Sequence, residues 1–153
     1  SKKLSKKKRE ELYHYIIDTA IDWNVNYIEN DEIDKLNILQ ATMKSMHTNL
    51  DNLLIDVDHI LVDGTNFNSY NKIPHTCVPK GDDKYYSIAA ASILAKVEHD
   101  WYIEDLCKKN PELHEKYDLL NNMGYGTKNH MDNIKKYGIS EYHRKSFGIC
   151  KNY

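Results

Sequence analysis

The chain has little cysteine, no long apolar run and almost no net charge, and each shortage excludes a class of protein. The three cysteines form no CxxC pair and leave an odd thiol, which fits a reducing compartment better than a disulfide framework; they are Cys77, Cys107 and Cys150. We therefore expect a cytoplasmic protein. No apolar run approaches the roughly 20 residues of a membrane span, so we expect no membrane partner. The formal net charge of -2 gives no global basic field, so a nucleic acid would have to be held by local patches.

Several sequence signatures of catalysis are also absent. The eight histidines form no HxxxH or HExxH pattern, which argues against a zinc site. The sequence contains neither a P-loop nor the GxSxG elbow of a nucleophilic serine. The carboxylates are therefore the remaining candidates for catalytic side chains.

The length and the apolar pattern bound the architecture. With 153 residues and 41% hydrophobic content, the chain is the size of one domain, and we assign residues 1–153 to it. An N-cap at Ser5 and the apolar spacing after it predict an amphipathic helix. A second helical stripe, typical of a core-facing surface, comprises Ile33, Leu36, Leu39, Met43 and Met46.

Short apolar runs alternate with the helical segments. They predict strands at Val25–Ile28, Ile60–Val62 and His75–Lys80. Longer periodic segments predict helices over about 86–108, before Asn110-Pro111, and over 129–137, before Gly138. This alternation predicts an α/β fold.

Two aspartates stand where adjacent strands end. Asp63 closes the Ile60–Val62 run and Asp82 follows the next strand candidate, so neighbouring strands would bring them together across 19 positions. Hydrolysis of a phosphodiester commonly uses two metal ions held by several convergent carboxylates. Spacing alone is weak evidence for such a site.

Two further aspartates flank the long helical segment. Asp83 is interpreted as an N-cap in preference to a ligand. Asp100 lies 13 positions beyond Ser87 on one helix, about 20 Å along the axis at 1.5 Å per residue, which favours a structural role.

A set of ordered motifs carries a family resemblance. At their spacings, SKKLS, NILQATMKSM, ILVDG, KGDDKYYSIAAASILAKVEHD, GYGT and HRKSF closely resemble bacterial-type ribonuclease HII, the type 2 ribonuclease H family, over essentially the whole chain. The resemblance implies a ribonuclease H-like fold, a mixed sheet flanked by helices. It also implies an endoribonuclease that cleaves RNA in RNA/DNA hybrids and 5′ of ribonucleotides embedded in DNA, by two-metal-ion catalysis with Mg²⁺ or Mn²⁺.

The resemblance also implies residue roles. Asp63 in LVDG and Asp82 in KGD would be catalytic, metal-binding acids, Tyr125 in GYGT would stack on the sugar that follows the ribonucleotide, and Lys2 in SKK would approach a phosphate. Without the motifs, Tyr125 is one of twelve loop-filling or packed tyrosines, and Lys2 belongs to a solvated basic face or a nuclear localisation signal.

The chain also departs from the family pattern. The family opens with a Gly-Asp-Glu-x-Gly-Arg-Gly type motif that supplies two of four acids, and the chain has no such motif. We therefore expect an N-terminally incomplete domain without its first strands and with negligible cleavage of its own. His99 stands where the family usually has arginine, which we expect to weaken the network around Asp100.

Two alternatives follow from this departure. The alternatives to an endoribonuclease are a non-catalytic remnant that binds hybrids and one half of a split ribonuclease HII whose N-terminal segment is a separate polypeptide. An in-frame Asp-Glu motif directly upstream in the coding region would indicate a fragment of an active enzyme.

Overall fold

The computed structural model describes residues 3–153, so Lys2 lies outside the described residues. Helices predominate, and two short strands lie in the middle of the chain. In order, the elements are α1 (Lys6–Thr19), α2 (Asn30–Leu36), α3 (Ile38–Asp51), β1 (Ile60–Asp63), β2 (His75–Val78), a 3-10 helix (Gly81–Asp83), α4 (Tyr86–Lys109), α5 (Pro111–Tyr117), α6 (Leu119–Asn122), α7 (Lys128–Tyr137) and a second 3-10 helix (Gly148–Asn152).

The chain divides into two compact units. The first contains the described residues up to Tyr27 together with Thr42–Glu98, and the second contains Ile28–Ala41 together with His99–Tyr153. The assignment of residues 1–153 to one domain stays a prediction. None of the helices in residues 3–153 combines the length and the apolar character that a membrane crossing requires.

The strands of the first unit pair in parallel. Their register runs from Ile60 opposite His75 to Asp63 opposite Val78. Because parallel neighbours end at the same edge of a sheet, Asp63 lies beside the point where β2 leaves it. The predicted α/β class is confirmed, and the sheet within the described residues consists of these two strands.

Helix α1 begins as its sequence predicts. The Ser5 hydroxyl accepts a hydrogen bond from the amide of Lys8 at 3.2 Å, which satisfies one free amide of the first turn. Tyr13 is buried, and its hydroxyl donates to Glu98 of α4 at 2.5 Å. The hydroxyl of Tyr27 donates to the other oxygen of Glu98 at 2.6 Å. One carboxylate thus connects α4 to two separate segments of the first unit.

The predicted strand at Val25–Ile28 is wrong, because this segment pairs with no other strand. Its side chains bind α3 instead. The amide of Asn26 donates to the carbonyl of Ser45 at 2.8 Å, and the Ser45 hydroxyl donates back to the Asn26 side chain at 2.7 Å. The segment is therefore held by side-chain hydrogen bonds in place of a strand ladder.

The predicted second helical stripe is divided into two helices at Asn37. The Asn37 amide donates to the carbonyl of Ile33 at 2.8 Å and ends α2, with φ at 73°. Its side-chain oxygen then accepts from the amide of Gln40 at 3.0 Å and caps α3. Asparagine tolerates positive φ and also caps helices well, so one residue ends α2 and starts α3.

The core of the second unit joins α4, α5, α6 and α7 to the C-terminal segment. Its buried members are Ile103, Cys107, Leu113, Tyr117, Leu119, Ile134 and Cys150. Full burial of a large aliphatic side chain contributes roughly 1.5 to 3 kcal/mol, so this cluster accounts for much of the unit's stability. Pro111 at the start of α5 lacks only an amide that would have no helical partner.

Candidate functional site

The carboxylate of Asp63 is fixed against the turn that carries Asp82. The Asp63 Oδ1 accepts a hydrogen bond from the backbone amide of Gly81 at 2.9 Å. The side chain is otherwise exposed at the strand end. Asp82 follows Gly81 directly and is half-buried. The two predicted acids therefore belong to one hydrogen-bonded corner of the first unit.

The KGDD turn has a backbone that its sequence explains. Lys80 takes the left-handed conformation, with φ of 53°, and Gly81 is buried at the start of the 3-10 helix. A Cβ on Gly81 would lie 2.6 Å from the Cδ1 of Ile88, so a side chain there needs Ile88 to move. The carbonyl of Gly81 accepts the amide of Tyr85 at 2.9 Å. Glycine thus lets the turn close tightly over α4.

Asp83 does not cap α4, so that interpretation is wrong. It lies within the 3-10 helix Gly81–Asp83, while α4 begins at Tyr86. Its carboxylate faces the ammonium of Lys3 at 3.6 Å. An ion pair this exposed contributes about 0 to 1 kcal/mol, but it brings a cation of the SKK motif beside the acidic turn. Lys2, the predicted phosphate contact, lies outside the described residues.

The oxygen ligands of these acids are of the type that binds a hard divalent cation, but two carboxylates are too few for a two-ion site. Carboxylate oxygens are the ligands that Mg²⁺ and Mn²⁺ prefer. Within residues 3–153, no group of three or more His, Cys, Asp or Glu side chains is arranged to hold a metal ion. The pair Asp63 and Asp82 therefore does not fit a complete two-ion site.

Asp100 of α4 lies in the second unit and is 3% exposed. Its Oδ1 lies 3.5 Å from the Nδ1 of His99, the residue that departs from the family pattern. The burial of Asp100 agrees with the structural role that its spacing favours.

Tyr125 of the GYGT loop, in the second unit, presents an exposed ring on a fixed backbone. The residue is 53% exposed. Its amide donates to the carbonyl of Asn122 at 3.0 Å, and its carbonyl accepts the amide of Thr127 at 2.9 Å. The ring of His99 lies 6.1 Å from the Tyr125 ring, centroid to centroid. An exposed aromatic on a restrained loop is suited to stacking.

Sequence reasoning missed a hydrogen-bonded histidine pair in the same unit, of which His130 is buried and His143 half-buried. His130 of α7 is 5% exposed, and its Nε2 lies 3.0 Å from the Nε2 of His143 in the HRKSF motif. Burial, together with the nearby His130, lowers the pKa of His143 to about 4. His143 lies in the HRKSF motif and His130 lies three positions after GYGT, and this proximity to the motifs was the available signal.

The HRKSF segment is fixed by Asp34 of α2. The carboxylate of Asp34 accepts the amides of Lys145 at 2.9 Å and Ser146 at 3.0 Å, and the Ser146 hydroxyl at 2.6 Å. The hydroxyl of Ser146 is the main cause that lowers the pKa of Asp34. The guanidinium of Arg144 lies 4.0 Å from the ring centroid of the exposed Phe147. This segment thus shows a cation and an aromatic side by side.

A family model described as Ribonuclease HII matches residues 1–150. The chain belongs to the ribonuclease HII family. The resemblance carried by the motifs is confirmed. The prediction that the chain belongs to a family of ribonuclease enzymes is confirmed as well.

Curated relatives give the same result. The ribonuclease HII of Christiangramia forsetii is 49% identical over 149 residues, which are 97% of this chain and 73% of the relative's length. The ribonuclease HII of Parabacteroides distasonis is 48% identical with the same coverage.

The fold is shared with a solved structure. The crystal structure of the ribonuclease H2 from Pyrococcus horikoshii OT3 superposes with a TM-score of 0.78 at 25% identity, covering 99% of this chain and 77% of that chain. The ribonuclease H-like fold expected of a ribonuclease HII is thereby shown. The roles of Asp63, Asp82, Tyr125 and Lys2 stay predictions.

Proposed function

We propose that this chain serves in metal-dependent endonucleolytic cleavage of RNA within RNA/DNA hybrids and 5′ of ribonucleotides embedded in DNA. The observation that carries the proposal is the hydrogen bond from the Gly81 amide to Asp63, because it joins the strand-end acid to the KGD turn. Membership of the ribonuclease HII family supports the same reaction class.

Asp63 and Asp82 would supply part of the carboxylate set for Mg²⁺ or Mn²⁺. A bound divalent ion of this kind polarises a phosphate oxygen and lowers the pKa of bound water. The chain's own contribution is to hold two carboxylates at one corner of the sheet, with Gly81 keeping the turn against α4. Because no three acids of the described residues are arranged to hold a metal ion, the proposal requires further carboxylates from elsewhere.

Tyr125 and the basic N-terminal motif would contact the nucleic acid. The exposed ring of Tyr125 suits stacking on a sugar or base, a contact worth about 1 to 3 kcal/mol. For the N-terminal motif, the support is the position of Lys3 beside Asp83, since it puts the neighbour of Lys2 next to the acidic turn. A phosphate contact by Lys2 would be electrostatic and salt-dependent.

Two other functions stay open under this proposal. A hybrid-binding remnant would keep Tyr125 and the basic groups without cleavage. A split enzyme would gain its missing acids from a separate N-terminal segment. The lack of a three-acid cluster in residues 3–153 favours either over full activity of this chain alone.

The test uses a labelled duplex with one ribonucleotide, incubated with Mg²⁺ or Mn²⁺. We expect negligible cleavage by the 153-residue chain and cleavage 5′ of the ribonucleotide by a version extended upstream to include an Asp-Glu segment. The extended Asp63→Asn variant is the matched control and should be inactive.

The outcomes separate the candidates. Binding without cleavage by both forms would favour the remnant. Cleavage restored by adding the N-terminal segment as a separate polypeptide would favour the split enzyme. Equal cleavage by the short and extended forms would show that this chain completes the site with acids such as Asp83 or Glu98, and our account of its incompleteness would be wrong.

A further inference from the structure

The backbone of Tyr125 is joined to the buried His130 and the half-buried His143 by a continuous series of hydrogen bonds. The Tyr125 carbonyl lies 2.9 Å from the Nδ1 of His130. The Nε2 of His130 lies 3.0 Å from the Nε2 of His143, whose Nδ1 meets the amide of Ser140 at 2.9 Å. The series therefore runs from the GYGT loop, which carries the exposed Tyr125 ring, to Ser140, which lies just before the HRKSF motif.

The two ends of the series fix the tautomer of each ring. A carbonyl can only accept, so the Nδ1 of His130 carries a proton and its Nε2 is an acceptor. A backbone amide can only donate, so the Nδ1 of His143 is an acceptor and its Nε2 carries a proton. Donor and acceptor then match at the contact between the rings. Only this arrangement, with both rings neutral, satisfies every partner.

The surroundings hold this arrangement. The ring of Tyr117 packs against His143 with centroids 4.7 Å apart, and the Tyr117 hydroxyl donates to the carbonyl of Gly138 at 2.9 Å. Residue 127 contributes as well, since the hydroxyl of Thr127 caps α7 by accepting the amide of His130 at 3.1 Å. The histidine that reaches Tyr125 is therefore restrained at both its backbone and its ring.

We propose that His130 and His143 are positioning residues. Their hydrogen bonds hold the backbone carbonyl of Tyr125, fix the position of its exposed ring, and so contribute to recognition of a ribonucleotide junction. This inference rests on the proposed nucleic-acid role of Tyr125. Neither histidine touches the nucleic acid. Each acts by fixing the loop from which the aromatic ring projects.

The test is a pair of amide substitutions at one position. In His130→Asn the side-chain NH₂ takes the place of Nδ1 and keeps a donor for the Tyr125 carbonyl. In His130→Gln the amide takes the place of Nε2 and loses that donor. Both variants remove an imidazole from the same buried site, so a purely structural role predicts similar behaviour of the two.

The first measurement does not depend on nucleic acid. In the parent chain, ¹⁵N NMR should show His130 protonated at Nδ1 and His143 at Nε2. Amide relaxation should show residues 125–127 more mobile in His130→Gln than in His130→Asn. Equal order in the two variants, or the opposite tautomers in the parent, would overturn the positioning role.

The second measurement is the dissociation constant for a duplex with a DNA-RNA-DNA junction, against an all-DNA duplex of the same sequence. Tyr125→Ala should weaken junction binding about 5- to 150-fold, the loss that a stack of 1 to 3 kcal/mol predicts. His130→Gln should also weaken junction binding. The double variant, which combines Tyr125→Ala with His130→Gln, should bind no more weakly than Tyr125→Ala alone.

The results separate the two proposals. A Tyr125→Ala chain that binds the junction like the parent would remove Tyr125 from the proposed function, while the relaxation data still decide the positioning role. Additive losses in the double variant, or His130→Gln and His130→Asn binding alike, would overturn the inference. Ile134→Val, which trims the same core and keeps the series intact, controls for stability and should bind like the parent.

Discussion

The carboxylate of Asp63 accepts a 2.9 Å hydrogen bond from the backbone amide of Gly81, and so the end of β1 is joined to the turn after β2. This contact bridges 18 positions of sequence. It ties the orientation of one candidate ligand to the backbone of the other, which makes the corner testable with single substitutions.

Replacing Asp63 with Asn should remove function and leave the fold intact. The Asn oxygen still accepts from the Gly81 amide, while the negative charge that a divalent ion requires is lost. We expect no detectable cleavage by the extended Asp63→Asn protein and a change in unfolding free energy within about 0.5 kcal/mol. Asp83→Asn is the control, since it removes the same charge from the neighbouring KGDD turn. Equal loss of cleavage in the two variants would indicate an effect of net charge and not of metal ligation.

Replacing Gly81 with Ala should destabilise the turn. The new Cβ would meet the Cδ1 of Ile88 at 2.6 Å, and overpacking of this kind costs about 1 to 3 kcal/mol. Urea unfolding measures the loss, and adding Ile88→Val, which removes the clashing methyl group, should recover part of it. Gly126→Ala has no heavy atom within 4 Å of its new Cβ and should be nearly neutral; a similar loss there would refute the steric explanation.

Replacing Asp100 with Asn should mainly lower stability. The residue is 3% exposed, so a change in its hydrogen-bonding capacity alters buried contacts that water does not replace. We expect a loss of about 1 to 3 kcal/mol in urea unfolding. Cleavage by the extended variant, assayed well below its melting temperature, should persist. An inactive but normally stable variant would assign Asp100 to the site.

Acid should weaken the second unit through His143. Its pKa in the folded chain is lowered to about 4, first by burial and then by His130. The unfolded ring takes up its proton near its ordinary value, so stability is complete above about pH 6.5 and falls as the pH drops toward 4. The groups that face the ring are Tyr117, His130 and Ser140.

Comparison with His143→Gln isolates this effect. Glutamine keeps a donor for His130 but does not titrate. Between pH 7.5 and pH 5 the parent should lose on the order of 1 kcal/mol more than the variant, a figure reduced because the ring is partly solvent-exposed. Parallel pH profiles from chemical denaturation would contradict the assignment.

The sequence predicts much of the fold because local signals agree with tertiary packing where they are strong. The Ser5 cap, the end of β1 at Asp63 and the end of α7 at Gly138 all follow from such signals. The segment Val25–Ile28 has an alternating pattern, but it pairs with no strand, and the Asn26 side chain exchanges hydrogen bonds with Ser45 of α3. Asn37 lies within an apolar stripe of helical periodicity, and that periodicity does not reveal the positive φ at which the helix is interrupted.

The candidate site was less accessible to sequence reasoning. Spacing singled out Asp63 and Asp82, yet nothing in the pattern specifies that the Gly81 amide joins them. The N-cap interpretation of Asp83 failed because Asp83 belongs to the 3-10 helix, which ends before α4 begins at Tyr86. His130 and His143 are 13 positions apart, and without tertiary contacts neither shows a partner.

The two phenols on Glu98 give the first unit an optical marker. Burial, and then the hydrogen bond to Glu98, raise the pKa of Tyr13 to about 12. An unfolded tyrosine ionises near pH 10, so between about pH 10 and pH 12 a rise in pH favours the unfolded state. In this range Tyr13 becomes a phenolate only when α1 detaches from α4. Because the pKa values of Tyr70, Tyr102 and Tyr117 are also raised, the difference between the ultraviolet titrations of the parent and of Tyr13→Phe would register detachment of the N-terminal helix without any added dye or label.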